Sequence, residues 1–173
     1  AAASIAQVHI AKINIDNNFT EVAIKILRPG IEKEFNEELD ALMLFAYVVE
    51  KLFTKTKRLK LVEVVCLLRE ITNIEMDLRF EAAAANELYE NTKNDIGFNV
   101  PKIYWNYTSK KVLTLDKVDG ITIREQKLLE DSGVDLKQLA ENLIQHFLKQ
   151  AVRDGFFHGD MHQGNLFVDK NGN

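Results

Sequence analysis

The chain has 173 residues, 46% of them hydrophobic, with Lys+Arg 22 against Asp+Glu 26 and a formal net charge of −4. That length and apolar content suffice for a core in one domain or two closely packed lobes and exclude a disordered chain, while the lack of a basic stripe argues against nucleic acid as a main partner. Cys66 is the single cysteine, which excludes an internal disulfide or a cysteine-based metal cage and fits a reducing compartment.

The chain opens on Ala1-Ala2-Ala3-Ser4 without an initiator methionine and closes on Lys170-Asn171-Gly172-Asn173, a turn that should lead into another strand. We therefore expect a fragment, so a missing targeting sequence says nothing about the compartment. From Ile5 to Ile15 apolar residues alternate through Val8, Ile10, Ile13 and Ile15. A second run, Val22 to Leu27, follows the Asp16-Asn17-Asn18 turn, and the pair predicts a hairpin. After Pro29-Gly30, the residues Ile31, Phe35, Leu39, Leu42, Ala46, Val49 and Phe53 recur with the period of a helix buried on one face. Its apolar run Ala41 to Val49, between Asp40 and Glu50, falls well short of the roughly 20 residues of a membrane-spanning helix.

Thr54 to Lys60 is a basic connector, expected to be a solvated loop. A longer helix is expected from about Val62 to Tyr89, with Leu67, Ile71, Ile74, Leu78, Ala82 and Ala85 on or near its apolar side. Beyond Pro101, Lys102 to Tyr107 and Val112 to Val118 read as two strands joined by Thr108-Ser109-Lys110, and Asp119-Gly120 breaks the chain. A last amphipathic helix should turn Leu136, Leu139, Ala140, Leu143, Ile144, Phe147, Leu148 and Ala151 inward and lead through Gly155 to the His158 loop. The order predicts an α+β fold with a small mixed lobe at residues 1–118 and the start of a helical lobe at residues 119–173.

The chemistry concentrates in His158-Gly159-Asp160-Met161-His162-Gln163-Gly164-Asn165, before the apolar Leu166-Phe167-Val168. Its D-x-x-x-x-N spacing is that by which protein-kinase-like enzymes set a catalytic carboxylate, here Asp160, and a magnesium-binding amide, here Asn165, on one loop. Val22-Ala23-Ile24-Lys25 carries one lysine in an apolar strand, where an ammonium is costly unless it meets an anion. An outward-facing lysine on an edge strand is the plain alternative. Around Glu75-Met76-Asp77, at about 100° per residue, Asp77 and Glu81 lie within roughly 40° of each other on a continuous helix, with Glu75 pointing away. They could face one cleft, or all three could be solvated acids with Arg79 as an i,i+4 partner of Glu75.

Together with the opening Ala1-Ala2-Ala3-Ser4-Ile5-Ala6-Gln7-Val8-His9, these segments resemble the UbiB/ADCK family of atypical protein-kinase-like proteins over essentially the whole chain. The resemblance rests on the alanine-rich loop, the V-A-x-K strand, the E-x-D helix and the H-x-D loop. It implies a protein-kinase-like fold in which Lys25 contacts nucleotide phosphates and pairs with Glu81, Asp160 is catalytic and Asn165 binds Mg2+. It also implies that Ala1, Ala2, Ala3 and Ser4 line the phosphate region and that Asp116, Lys117 and Val118 form the hinge holding adenine. Glu75 and Asp77 would engage an N-terminal K-x-G-Q segment found in relatives.

The implied activity is that of an ATP- or ADP-binding atypical kinase or ATPase supporting ubiquinone or related isoprenoid-lipid metabolism. Membrane lipid or quinone-biosynthesis proteins would be its partners, and its location mitochondrial or membrane-associated. Ala6 departs from the family's usual glycine, Met161 and Gln163 from its prolines, and Phe80 from its arginine. The loop should accordingly be less rigid than usual. Without an Asp-Phe-Gly aspartate the chain as it stands is expected to be inactive. A small-molecule phosphotransferase of the aminoglycoside- or choline-kinase type, which shares the H-G-D-x-H-x-G-N loop, and a nucleotide-binding pseudokinase scaffold are the alternatives.

Overall fold

The computed structural model describes residues 5–15, 17–170 and Gly172. Strands β1 (Ala6–Ile15), β2 (Asn18–Leu27) and β3 (Val112–Asp116) form a sheet in the order β1-β2-β3. The expected hairpin is present. Asn17 at its turn has φ 65°, a left-handed conformation that asparagine tolerates better than most residues and that tight hairpins demand.

The chain packs as two compact units. One takes in the stretch through His9, Ile24–Ala82 and Trp105–Thr114; the other takes in Ile10–Ala23, Ala83–Tyr104 and the chain from Leu115 onward.

In the first unit, α1 (Ile31–Leu52) starts after Gly30, whose φ of 82° suits glycine, and carries Glu32 and Glu34 in its first turn and Lys51 in its last. A 3-10 turn (Thr54–Leu59) leads to α2 (Leu61–Glu75). Leu39, Ala46 and Val65 form the core between α1 and α2, with Met43, Leu61 and Val62 against it. Leu42 and Phe53, expected inside, are exposed.

The single helix expected from Val62 to Tyr89 is two. α2 ends at Glu75 and α3 (Leu78–Thr92) begins after a break at Met76-Asp77. The cause is Asp77, whose Oδ1 accepts the Arg79 backbone N–H at 3.1 Å as a helix cap, while the Leu78 N–H donates outside the helix to the Lys110 carbonyl at 2.9 Å. The expected strand Lys102 to Tyr107 is also corrected, to one bridge, Ile103 to Leu115, and a 3-10 turn over Trp105–Tyr107. Side chains replace its ladder locally: Thr114 Oγ1 donates to the Tyr107 carbonyl at 2.7 Å and Thr108 Oγ1 accepts the Thr114 N–H at 3.2 Å.

In the second unit, β4 (Ile121–Thr122) pairs antiparallel with β5 (Phe167–Val168). A Cβ on Gly120 would lie 2.7 Å from the Val168 carbonyl oxygen, so this approach needs glycine. The short α4 (Gln126–Asp131) was not foreseen. α5 (Leu136–Leu148) is capped by Asp135, which accepts the Lys137 and Gln138 N–H groups, and runs into a π-helical turn, Lys149–Asp154. Its burial differs from expectation: Ile144 and Leu148 are exposed, while His146 and Gln150 are buried. Arg153 anchors that turn, its guanidinium reaching both carboxylate oxygens of Asp95 at 2.8 and 2.9 Å and both of Asp154 at 2.6 and 2.8 Å.

Candidate functional site

In the first unit, Lys25, near the end of β2, lies alongside the first turn of α3. The Lys25 Nζ donates to Glu81 Oε1 at 2.9 Å and Oε2 at 2.7 Å, with the lysine side chain 24% exposed and the glutamate 48%. The lysine in the apolar strand therefore has its anion, in a charge-assisted contact with both carboxylate oxygens.

Asp77 does not share that arrangement. Its carboxylate is clamped in a fork by Arg79, with Nε to Oδ1 at 2.9 Å and Nη2 to Oδ2 at 2.6 Å. The Arg79 side-chain bonds, above all, hold its carboxyl down at about 2, against the cost of burial. The break in the helix thus removes the geometry in which Asp77 and Glu81 would face one cleft. Arg79 serves Asp77, and Glu75 is exposed without an ion pair among the described residues. Neither the fork nor the cap was foreseen; an aspartate two residues before an arginine was the available signal.

In the second unit, the D-x-x-x-x-N spacing closes as expected. Asn165 Nδ2 donates to the Asp160 carbonyl at 3.0 Å and to Asp160 Oδ2 at 3.2 Å, and the Asn165 N–H donates to the His162 carbonyl at 2.9 Å. Both histidines accept backbone N–H groups at Nδ1, His158 from Asp160 at 3.1 Å and His162 from Gly164 at 2.9 Å. In the neutral ring this puts the proton on Nε2, and that atom of His162 lies 3.6 Å from Asp160 Oδ2. A Cβ on Gly164 would come within 2.8 Å of the His162 ring, so the glycine makes room for the imidazole. These bonds tie the loop through the residues flanking Met161 and Gln163, where the family has prolines.

The amide of Asn165 spends its N–H group inward, which leaves Oδ1 without a protein partner among the described residues. An amide oxygen beside a carboxylate suits a hard cation such as Mg2+, which usually takes one or two protein oxygens and completes its shell with phosphates and water. No cluster of three or more His, Cys, Asp or Glu ligands occurs among the described residues.

Of the expected hinge, Asp116 is fully engaged. It accepts the Tyr104 hydroxyl at 2.6 Å and the Lys102 N–H at 3.1 Å, and its own N–H donates to the Lys102 carbonyl at 3.0 Å. The first of these bonds pushes the Tyr104 phenol up to about 12. Lys117 bridges Glu21 at 3.0 Å and Asp119 at 2.9 Å, and Val118 is exposed. The Lys117 side chain is thus taken up by its two ion pairs. The loop residues Ala1, Ala2, Ala3 and Ser4 lie outside the described residues.

The model of the ABC1 atypical kinase-like domain matches residues 1–173. The chain belongs to that family. This ABC1-type domain is 43% identical over 98% of its length to "Probable protein kinase UbiB" of Marinobacter nauticus, and 40% identical over 97% to the protein of that name from Azotobacter vinelandii. It spans 30% and 31% of those relatives' lengths. Among solved structures, the Rv3197–erythromycin complex from Mycobacterium tuberculosis matches with a TM-score of 0.75 at 27% identity, over 99% of this chain and 42% of that one. The ABC1 assignment makes the fold protein-kinase-like, with mixed strand and helix. Among the described residues of the domain no helix is long and apolar enough to cross a membrane.

Proposed function

We propose that this domain binds ATP or ADP with Mg2+ and that the protein carrying it is an atypical kinase or ATPase supporting ubiquinone or related isoprenoid-lipid metabolism at a membrane. The observation that carries the reading is the contact of Asp160 with Asn165 across five residues, in a family of atypical kinases. Residues 1–118 would form the nucleotide-holding lobe and residues 119–173 the beginning of the catalytic one. Lys25, held by Glu81, would contact phosphates. Asp160 would accept the proton of the attacking hydroxyl or water as the γ-phosphoryl group passes to that oxygen and ADP leaves. Asn165 Oδ1 would hold Mg2+, which when bound neutralises phosphate charge. Lys117 and Val118 would offer main-chain contacts to adenine, and Glu75 and Asp77 would gate.

The relatives' UbiB name supports the lipid-quinone assignment, whereas a structural neighbour solved with erythromycin favours a second reading, transfer to a small molecule. Asp160→Asn in the full-length protein tests the common chemistry. ADP affinity should stay within about twofold while phosphate release or transfer disappears, since the carboxamide keeps the shape and loses the base. Turnover at the unsubstituted rate would sink the assignment.

A further inference from the structure

α5 buries a titratable side chain that the chemistry of the His158 loop does not use. His146 is 4% exposed, and Gln150, one turn on, is fully buried. The His146 ring stacks on Phe98, with centroids 5.2 Å apart and planes 26° from parallel. The Ile96 main chain bonds the ring in the sense that favours its proton, and because Nδ1 has no partner among the described residues, that bond falls on Nε2–H. The neutral ring therefore turns a bare Nδ1 lone pair into the interior. A second proton there would need an acceptor. The Phe98 face attracts a cation but offers an N–H no lone pair.

The charges that act on the ring come from two places, Lys149 and Arg153 on the π-helical turn and Asp95 on the stretch between α3 and Phe98. Asp95 favours the proton, yet Arg153 already binds both its oxygens. Burial first, and Lys149 next, hold the imidazole below its ordinary 6.5. A depressed folded value means that the closed arrangement has its full stability above about 6.5 and loses it as pH falls further.

From His146 the contacts lead straight to the His158 loop. The Gln150 carbonyl accepts the Gly155 N–H and, at 3.2 Å, the Phe156 N–H, which closes the π-helical turn. Phe157 meets Phe147, the residue after His146, edge-on with centroids 5.4 Å apart. His158 follows directly and takes the Asp160 N–H. Arg153 ties the same turn back to Asp95 and to the Asn91 carbonyl at 3.3 Å, so the turn and the Phe98 stretch hold together. All of these residues belong to the second unit.

We propose that His146 is an acid-sensitive latch on the His158–Asn165 loop. Neutral, the ring closes α5 on the Phe98 stretch and steadies the π-helical turn; protonated, it leaves that contact, and the turn and the loop open with it. His158 and His162 are exposed and take their ordinary protons without opening anything. The inference rests on no part of the nucleotide reading.

The test uses the full-length protein. Exchange of the imidazole C2 hydrogen, read peptide by peptide in a mass spectrometer, titrates His146 apart from His158 and His162, and its pKa should lie below 6.5. Amide exchange, corrected for the intrinsic rate at each pH, should show protection over residues 149–165 falling about three- to tenfold between about pH 7.5 and 5.5; ten is roughly the limit for one proton over the single unit below 6.5. Residues 31–75, in the first unit, should keep their protection. His146→Phe, which keeps the stack and takes no proton, should abolish the fall, and so should His146→Gln. The proposal is overturned by a His146 pKa at or above 6.5, which would mean that the imidazolium finds an acceptor inside. Equal loss of protection over residues 31–75, no loss over residues 149–165, or a loss that persists in both variants would overturn it too.

Discussion

Lys25 and Glu81, 56 residues apart in the chain, meet through both carboxylate oxygens, the shorter contact being 2.7 Å. β2 and the first turn of α3 are thereby tied, and the pair fixes the direction of the lysine. In the full-length protein, Lys25→Ala should weaken nucleotide affinity by about 1–3 kcal/mol, the range for losing a charge-assisted contact. Glu81→Gln should weaken it less, because the lysine keeps its charge and loses its orientation. Titration of ADP in the presence of Mg2+ checks both, and unchanged affinity in Lys25→Ala would make the lysine structural.

Asp77 gives the first unit an acid-sensitive joint. Its carboxyl sits at about 2 in the folded chain against an ordinary 3.8, chiefly through the Arg79 side-chain bonds. A depressed folded value means the stabilisation is full above the ordinary value and is lost as pH falls from about 4 toward 2. Urea melts across that window should show Asp77→Asn with a flatter acid limb than the unsubstituted chain. At neutral pH both variants should lose stability, Asp77→Ala more, because asparagine gives up the ionised fork but still caps α3. Parallel acid limbs in all three proteins would refute the assignment.

Gln150 is fully buried, and neither its Oε1 nor its Nε2 has a hydrogen-bond partner among the described residues. An unmet buried amide costs free energy that an apolar side chain of similar length does not. Gln150→Met should therefore raise unfolding stability by about 1 kcal/mol in denaturant titration. A loss of that size instead would show that the amide is satisfied in solution.

Gly120 is placed for contact. Because the obstacle to a Cβ is the Val168 main chain rather than a movable side chain, Gly120→Ala should destabilise the second unit by about 1–3 kcal/mol, a typical overpacking cost. Gly164 faces only the end of the His162 ring, so Gly164→Ala should leave stability nearly unchanged and cost the His162 to Gly164 bond. Thermal melts of the two variants side by side check the contrast.

Much of this molecule is readable one residue at a time. The β1–β2 hairpin, the helix from Ile31 and the Asp160 to Asn165 closure depend on period, turn chemistry and short spacing, all of which act between near neighbours. The Lys25 to Glu81 pair came from family resemblance, since nothing local joins a strand lysine to a glutamate so far along the chain. The break at Met76-Asp77 was hidden because the apolar period of Ile71, Ile74, Leu78 and Ala82 runs through it. Only the fold decided that Asp77 caps α3, that Arg79 turns to Asp77 rather than Glu75, and that Leu78 bonds to Lys110 instead of continuing the helix. The same holds for burial. Periodicity reports that α1 and α5 each have an apolar side, but which residues are covered is settled by what packs against them, and that left Leu42, Phe45 and Ile144 open and closed His146 and Gln150 in.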